Sequence, residues 1–299
     1  MKYFVMSDIH IDFFFLDLWK DNKEWGPTGD TKVYENVIPC YQKFYEMFMN
    51  SAPENLIIAG DIANDYYNQI NFLKFISFKY NNVYVTFGNH DLTVKGATFG
   101  NGNPFKTSEE RMNAVINEFK DNPHIHIMES SDMINDVCGC MGMCDFHYVP
   151  NVWVTTPMLI HKWKNEWYDG RTWRYMTSPN GYMMNPIEIW CKYKDMMMEC
   201  VKKHPKIMIT HFVPIELGIC RYFETADTTT FFYFEGKEFL EEMEDDSYWI
   251  CGHIHNGFKT DYVNSKGNTI HILCMPNAYP GENPYIYNDL TNKDRIIDT

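Results

Sequence analysis

The amino-acid sequence predicts an α/β fold whose first half is a parallel sheet with crossover helices. Two observations support this prediction. Up to His90, short apolar or β-branched runs alternate with segments of helical spacing, as they do in β-α-β units. The runs also stop at Asp, Asn or His, and open α/β sheets bind their ligands at the carboxyl ends of their strands. We therefore expect a binding or catalytic site along one edge of the sheet.

The central predicted strand covers residues 83–87, a continuous apolar and β-branched run that is typical of a buried strand. Gly88 follows it, and a glycine allows the chain to turn sharply where the strand ends. That turn presents Asn89, His90 and Asp91 together. Four further predicted strands end in the same way, at residues 3–6, 56–59, 207–210 and 248–251, before Asp8, Asp61, His211 and His253.

Helices are expected between these strands. Pro39 is predicted to open the first, because proline suits the first helical position and aromatic residues follow it at helical spacing. Thr107 and Glu110 form a capping-box pattern before another helix. A later helix is expected to begin at Pro186, after Asn185.

The polar residues at the strand ends form five ordered motifs, which are Asp8-x-His10, Gly60-Asp61, Gly88-Asn89-His90-Asp91, His211 and Gly252-His253-x-His255. These motifs resemble those of the calcineurin-like metallophosphoesterase superfamily. The resemblance covers residues 8 to 255, and the order of the motifs makes it far more specific than any single motif. It implies a four-layer α/β/β/α sandwich of two mixed sheets with a dinuclear metal site at the carboxyl ends of the strands.

The resemblance also implies which residues bind two divalent ions. Manganese is expected, with iron, zinc or nickel as alternatives, since the side chains offer oxygen and nitrogen donors. A hydroxide that bridges the two ions would then attack a phosphate ester. The implied ligands are Asp8, His10 and His255 for one ion and Asn89, His211 and His253 for the other, with Asp61 shared and Asn89 also facing the substrate.

His90 is the general acid that the resemblance implies, and a carboxylate would orient it. Many members carry Gly-Asp-x-x-Asp, whereas this chain places Asn64 where the second aspartate belongs and Asp65 one residue later. Asp65 and Asp91 are therefore both candidates for the orienting catalytic carboxylate. A surface role for Asp65 remains open.

The aromatic and basic residues of segment 147–182 suggest an insertion or cap over the site. Arg171 and Arg174 are candidates for holding a substrate phosphate, and so is Arg221 further along the chain. A peripheral packing layer or an oligomer surface explains the same composition, and a surface role explains Arg221.

The expected substrate is a small-molecule phosphate ester, with a phosphodiester of a nucleotide or another small molecule favoured. A phosphomonoesterase acting on a small molecule or a protein is the alternative. The chain lacks the Asp-Arg-Gly and Gly-Asn-His-Glu motifs of the superfamily's serine/threonine phosphatases, which disfavours that subfamily. A catalytically silent binding module is a different class, and the presence of all seven implied ligands and His90 argues against it.

Composition restricts the partners and the location. The 299 residues carry a net charge of −14, which makes extended nucleic acid an unlikely partner and disfavours an anionic membrane surface. Nine cysteines in irregular spacing suggest reduced thiols, and no apolar run is long enough to insert into a membrane. We expect a cytoplasmic protein with a single domain over residues 1–299, because motifs scattered along the chain can meet only within one folded unit.

Overall fold

The computed structural model describes residues 1–14, 34–50, 52–94, 104–149, 153–174, 185–216, 226–282 and 290–299. Within them lie two sheets and the helices that cover them. The strands are β1 Lys2–Met6, β2 Asn55–Ala59, β3 Asn82–Thr86, β4 Ile125–Ile127, β5 Ser130–Ile134, β6 Val137–Gly139, β7 Ile207–Ile209, β8 Ser247–Cys251, β9 Phe258–Val263, β10 Thr269–Cys274 and β11 Ile296–Asp298. The α-helices are α1 Tyr34–Phe48, α2 Tyr66–Ser77, α3 Ser108–Phe119, α4 Thr156–Asn165, α5 Tyr168–Thr172, α6 Pro186–Val201 and α7 Lys237–Leu240.

The first sheet has the strand order β11-β1-β2-β3-β4 in the described chain. β1, β2, β3 and β4 run parallel, with Phe4 opposite Leu56 and Leu56 opposite Val83, and β11 joins the edge antiparallel. The predicted parallel first half is therefore confirmed. Because these strands are parallel and in register, the residues after β1, β2 and β3 emerge side by side.

The second sheet has the order β5-β6-β7-β8-β10-β9, again among the described residues. Its central strands β6, β7, β8 and β10 are parallel, and the edge strands β5 and β9 are antiparallel. β7 and β8 end at the two other predicted motif positions, so both sheets contribute to one edge.

Side-chain alternation separates the layers. Tyr3, Val5 and Ile57 of the first sheet share one buried cluster with Ile209 and Ile250 of the second, which places this core between the sheets. The alternate strand residues lie in the larger cluster with the helical side chains. The observed architecture confirms two mixed sheets between helices.

The helix boundaries differ from the predictions in one place. α1 begins at Tyr34, so Pro39 lies inside the helix and does not open it. Its aromatic face still packs inward, with Tyr41 and Phe44 fully buried. The other signals are confirmed: Thr107 caps α3 with a complete capping box, and Asn185 caps α6 before Pro186. No helix in the described ranges has the length and hydrophobicity needed to cross a bilayer.

Candidate dinuclear metal site

Several polar residues that follow the strands have an unusual backbone conformation. Asp8, His10, Asp61, His253 and His255 all have positive φ, between 45° and 73°. This left-handed region is uncommon for residues other than glycine and is concentrated at functional sites. Each of these residues directly follows a strand or lies in the turn after it, so the chain reverses there and points its polar side chain along the sheet edge.

Gly88 allows the turns of the two central strands to approach each other. A Cβ added to Gly88 would lie 2.2 Å from Oδ1 of Asp61 and 2.3 Å from its backbone nitrogen. No larger side chain fits there without displacing Asp61. The glycine predicted for a sharp turn therefore has the further role of making space for the neighbouring carboxylate.

Asp8, His10 and His255 form one group of donors, of which Asp8 and His10 are buried and His255 is partly exposed. Oδ2 of Asp8 accepts from Oγ of Ser7 at 2.5 Å, and both carboxylate oxygens accept from the backbone nitrogen of His253 at 3.0 and 3.1 Å. Nε2 of His255 lies 3.5 Å from Oδ1 of Asp8 and 2.9 Å from Nε2 of His10. Two imidazole nitrogens at such a distance are either the donor and acceptor of an N–H···N hydrogen bond or two ligands of one metal ion.

Asp61, His211, His253 and Asn89 form a second group. Oδ2 of Asp61 lies 3.4 Å from Nε2 of His211 and 3.7 Å from Nε2 of His10, so Asp61 stands between the two groups. Oδ1 of Asn89 lies 2.9 Å from Nε2 of His211. The structure thus brings together all seven residues to which the resemblance assigns metal ions.

For three of the imidazoles, a hydrogen bond at the far side of the ring determines which nitrogen faces the site. Nδ1 of His211 donates to the carbonyl oxygen of Ala59 at 2.8 Å, and Nε2 of His253 donates to that of Phe231 at 3.1 Å. Nδ1 of His255 donates to Oε2 of Glu282 at 2.8 Å. Such bonds orient metal-binding histidines and leave the opposite nitrogen free.

The donors fit divalent cations. The ligand atoms within each of the groups Asp8-His10-His255 and Asp61-His211-His253 lie within 4.8 Å of one another, as do those of His10, Asp61 and His90. Imidazole nitrogen with carboxylate and amide oxygen suits borderline or hard divalent ions. Glu282 was not identified from the sequence.

The charges of the site favour binding of a cation. Burial alone would raise the pKa of Asp61, but the nearby His211 and His90 outweigh it and hold the pKa well below its usual range. Burial would lower the pKa of His211, yet the carboxylate of Asp61 raises it to about 10. Burial also raises the pKa of Asp8. The ionised carboxylate of Asp61 is therefore the negative charge that a cation would meet between the two groups.

His90 stands beside both groups with its ring fixed on three sides. Nδ1 lies 2.6 Å from Oδ1 of Asn64, and Nε2 lies 3.3 Å from the hydroxyl of Tyr279. The ring of Tyr168 stacks on it, with centroids 4.5 Å apart and planes inclined by 20°. Its backbone nitrogen donates to Oδ1 of Asp61 at 2.8 Å. The imidazole is held firmly next to the shared carboxylate.

The side chain that contacts Nδ1 of His90 is Asn64 and neither of the two carboxylate candidates. Asp65 caps α2 by accepting from the backbone nitrogen of Asn68 at 2.9 Å. Asp91 accepts from four backbone N–H groups, which belong to Gly88, Asp61, Ile62 and Ala63. Both aspartates shape the backbone around the site and do not contact the ring nitrogens of His90.

Two further buried residues, missed from the sequence, hold the Asn64 loop. Oδ2 of Asp12 accepts from the backbone nitrogens of Asn64 and Asp65 at 2.8 and 3.1 Å. Arg111, which is fully buried, donates to the carbonyl oxygens of Ala63, Asn64 and Thr93 and to Oε1 of Gln69. An arginine in the first turn of α3 gives no sequence signal for this role, because its partners are mostly backbone atoms of remote loops.

Segment 147–182 reaches the site through α5, within its described part. Oδ1 of Asp169 accepts from Nδ2 of Asn89 at 2.8 Å, and Nε1 of Trp173 donates to the carbonyl oxygen of Asn89 at 2.8 Å. Asp169 was not singled out from the sequence, since no motif marks it. The segment thus contributes residues that contact Asn89, and its role as a cap stays a prediction.

The arginines proposed to hold phosphate are placed differently. Arg171 is exposed on α5. Arg174 is partly buried, and its Nη1 donates to the carbonyl oxygen of Trp173 at 2.8 Å. Arg221 lies outside the described residues. Contact of any of these with a substrate stays a prediction.

Comparisons with known proteins agree with this geometry. The family model described as calcineurin-like phosphoesterase matches residues 1–257. A comparison with curated proteins gave no significant match. The solved structure of a phosphopantetheinyl hydrolase (PptH) from Mycobacterium tuberculosis is similar, with a TM-score of 0.65 and 14% identity over 99% of this chain and 94% of that one. At this identity the likeness shows the fold alone.

The family match covers well over half of the 299 residues, and the donors at the strand ends form two groups suited to divalent ions. The chain therefore belongs to the calcineurin-like phosphoesterase family and is a metal-dependent hydrolase of phosphate esters.

Proposed function

We propose that the protein hydrolyses a phosphodiester of a nucleotide or another small organic molecule. The observation that carries this proposal is the aromatic surrounding of His90. Tyr168 stacks on its ring, and Tyr279 places its hydroxyl 3.3 Å from Nε2 while its own ring lies 4.9 Å from that of Phe13. Aromatic faces suit a substrate with a planar or apolar organic group on the leaving oxygen.

In this proposal the seven donors hold two divalent ions. Asp8, His10 and His255 would bind one ion, the group around Asn89 the other, and Asp61 both. Such ions polarise a phosphoryl group and lower the pKa of water, which is the chemistry they would supply here. Manganese remains the expected metal, with iron, zinc or nickel as alternatives.

His90 is proposed to protonate the leaving oxygen. Its Nδ1 is held by Asn64, which leaves Nε2 as the atom that exchanges a proton with a substrate. Nε2 faces Tyr279 at 3.3 Å, so a leaving oxygen that approaches His90 also approaches this hydroxyl. The amide of Asn64 fixes the ring in place, as the carboxylate does in the usual motif.

The test compares p-nitrophenyl phosphate with bis(p-nitrophenyl) phosphate as substrates of the manganese-loaded protein. The proposal expects faster turnover of the bis ester and its loss in His90→Asn. A preference for the monoester would identify a phosphomonoesterase instead. Turnover of neither, with two ions per chain confirmed by mass spectrometry, would contradict catalysis on small aryl esters and favour a binding module.

A further inference from the structure

The side chain of Asn89 could face the proposed metal site with either its oxygen or its nitrogen. The two ends of an amide are nearly equal in size, but only the oxygen can bind a metal ion. In the structure Oδ1 faces Nε2 of His211 at 2.9 Å, and Nδ2 faces away. A rotation of the amide by half a turn would direct N–H groups at the cation instead.

Asp169 is the group that fixes this orientation. Its Oδ1 accepts from Nδ2 of Asn89 at 2.8 Å. A carboxylate oxygen can accept a hydrogen bond only from the N–H end of the amide. Accepting this bond also draws electron density toward Oδ1 and makes the amide oxygen a better ligand. The side chain of Asp169 is fully buried, so water does not compete for the bond.

The rest of α5 holds Asp169 rigidly. A Cβ on Gly170 would lie 2.0 Å from the carbonyl oxygen of Trp163, so only glycine permits the close contact of α5 with α4. Trp173 packs on Trp163 with ring centroids 5.7 Å apart. Its indole nitrogen fixes the backbone of Asn89, while Asp169 fixes the side chain.

We infer that Asp169 is a positioning residue for the metal ligand Asn89, so that segment 153–174 completes one metal site. This inference rests on the proposed assignment of Asn89 as a ligand. The other ion, bound by Asp8, His10 and His255, has no contact with Asp169 among the hydrogen bonds of the described residues. The loss of Asp169 therefore affects one site selectively.

The experiment titrates Asp169→Ala with Mn²⁺ by calorimetry and counts bound manganese by mass spectrometry. One of two sites should weaken about 10- to 100-fold, the usual effect of removing the partner of a ligand, and the other should not change. Asp169→Asn keeps an acceptor oxygen and should recover most of the affinity. The matched control is Asp227→Ala, which breaks the 2.6 Å contact of the partly exposed Asp227 with Lys162 of the same segment.

A double-mutant cycle separates positioning from general support. In Asn89→Asp either oxygen can bind the ion, so the orientation of the group no longer matters, but the new carboxylate faces Asp169 and is repelled by it. Adding Asp169→Ala should then leave the affinity of that site unchanged or raise it, whereas in the wild-type background it lowers the affinity. Equal weakening of both sites, additive effects in the cycle, or no change in Asp169→Ala would each overturn the inference. A wild-type protein that binds no second ion, or an Asn89→Leu variant that keeps both, would overturn the proposed ligand assignment instead.

Discussion

Asp91 provides the clearest test of the site as described, because its sequence position suggested a catalytic carboxylate. In the structure Oδ2 accepts from the backbone nitrogens of Gly88 and Asp61 at 2.8 and 2.9 Å, and Oδ1 accepts from those of Ile62 and Ala63 at 3.0 and 3.1 Å. Asp91→Asn replaces one oxygen with an NH₂ group and leaves two buried donors without an acceptor. At about 1–3 kcal/mol for each, the free energy of unfolding should fall by about 2–6 kcal/mol.

The assay is urea unfolding in the presence of a chelator, so that bound metal does not contribute to the measured stability. Asp91→Ala leaves four donors unpaired and should be less stable than Asp91→Asn. Asp121→Asn, at an exposed position, serves as the control. The structural role is refuted if Asp91→Asn unfolds within about 0.5 kcal/mol of the wild type while its metal-loaded form loses turnover.

Three further predictions concern Gly88, Glu282 and Glu129. Gly88→Ala should lose metal binding and about 1–3 kcal/mol of stability, because the new Cβ would lie 2.2 Å from Oδ1 of Asp61. The control is Gly267→Ala, where a Cβ meets nothing within 4 Å, and this variant should retain both ions in the same calorimetric titration. Glu282→Ala should weaken manganese binding about 10- to 100-fold at one site, because Glu282 fixes the imidazole of His255, and unchanged affinities would exclude that role. Burial raises the pKa of Glu129 from 4.5 to about 7, so the folded protein holds this proton more tightly than the unfolded chain does. The free energy of unfolding should therefore fall by about 3 kcal/mol as the pH rises from 4.5 to 7. Glu129→Gln should remove that part of the pH dependence in unfolding measured from pH 4 to pH 8, and parallel curves for the two proteins would contradict it.

The sequence indicated where the strands end, but it did not indicate that Asn64 contacts the imidazole of His90. The difference has a physical reason. A parallel strand needs a continuous apolar run, so its end is visible in the sequence. The direction of a side chain in the following loop is not visible, because successive loop residues point in different directions. Asp65 is turned into α2, where it bonds the backbone nitrogen of Asn68, and the adjacent Asn64 faces the imidazole.

The start of α1 shows another limit. Proline is common in the first helical turn, but it is also tolerated further inside when tertiary packing holds the helix. Pro39 lies inside α1, whose buried Tyr41 and Phe44 pack against the core. The local signal gave the existence of this helix, and packing decided where it begins.

By itself the sequence determined which residue types stand at the strand ends, because the order of the motifs and the apolar runs before them are local properties of the chain. Only the tertiary structure decided which remote residues hold those ends in place. Asp169 reaches Asn89 across 80 positions of the chain, and Glu282 reaches His255 across 27. Arg111 bonds backbone oxygens, which every residue has. Such contacts depend on how the elements pack, and no spacing along the chain encodes them.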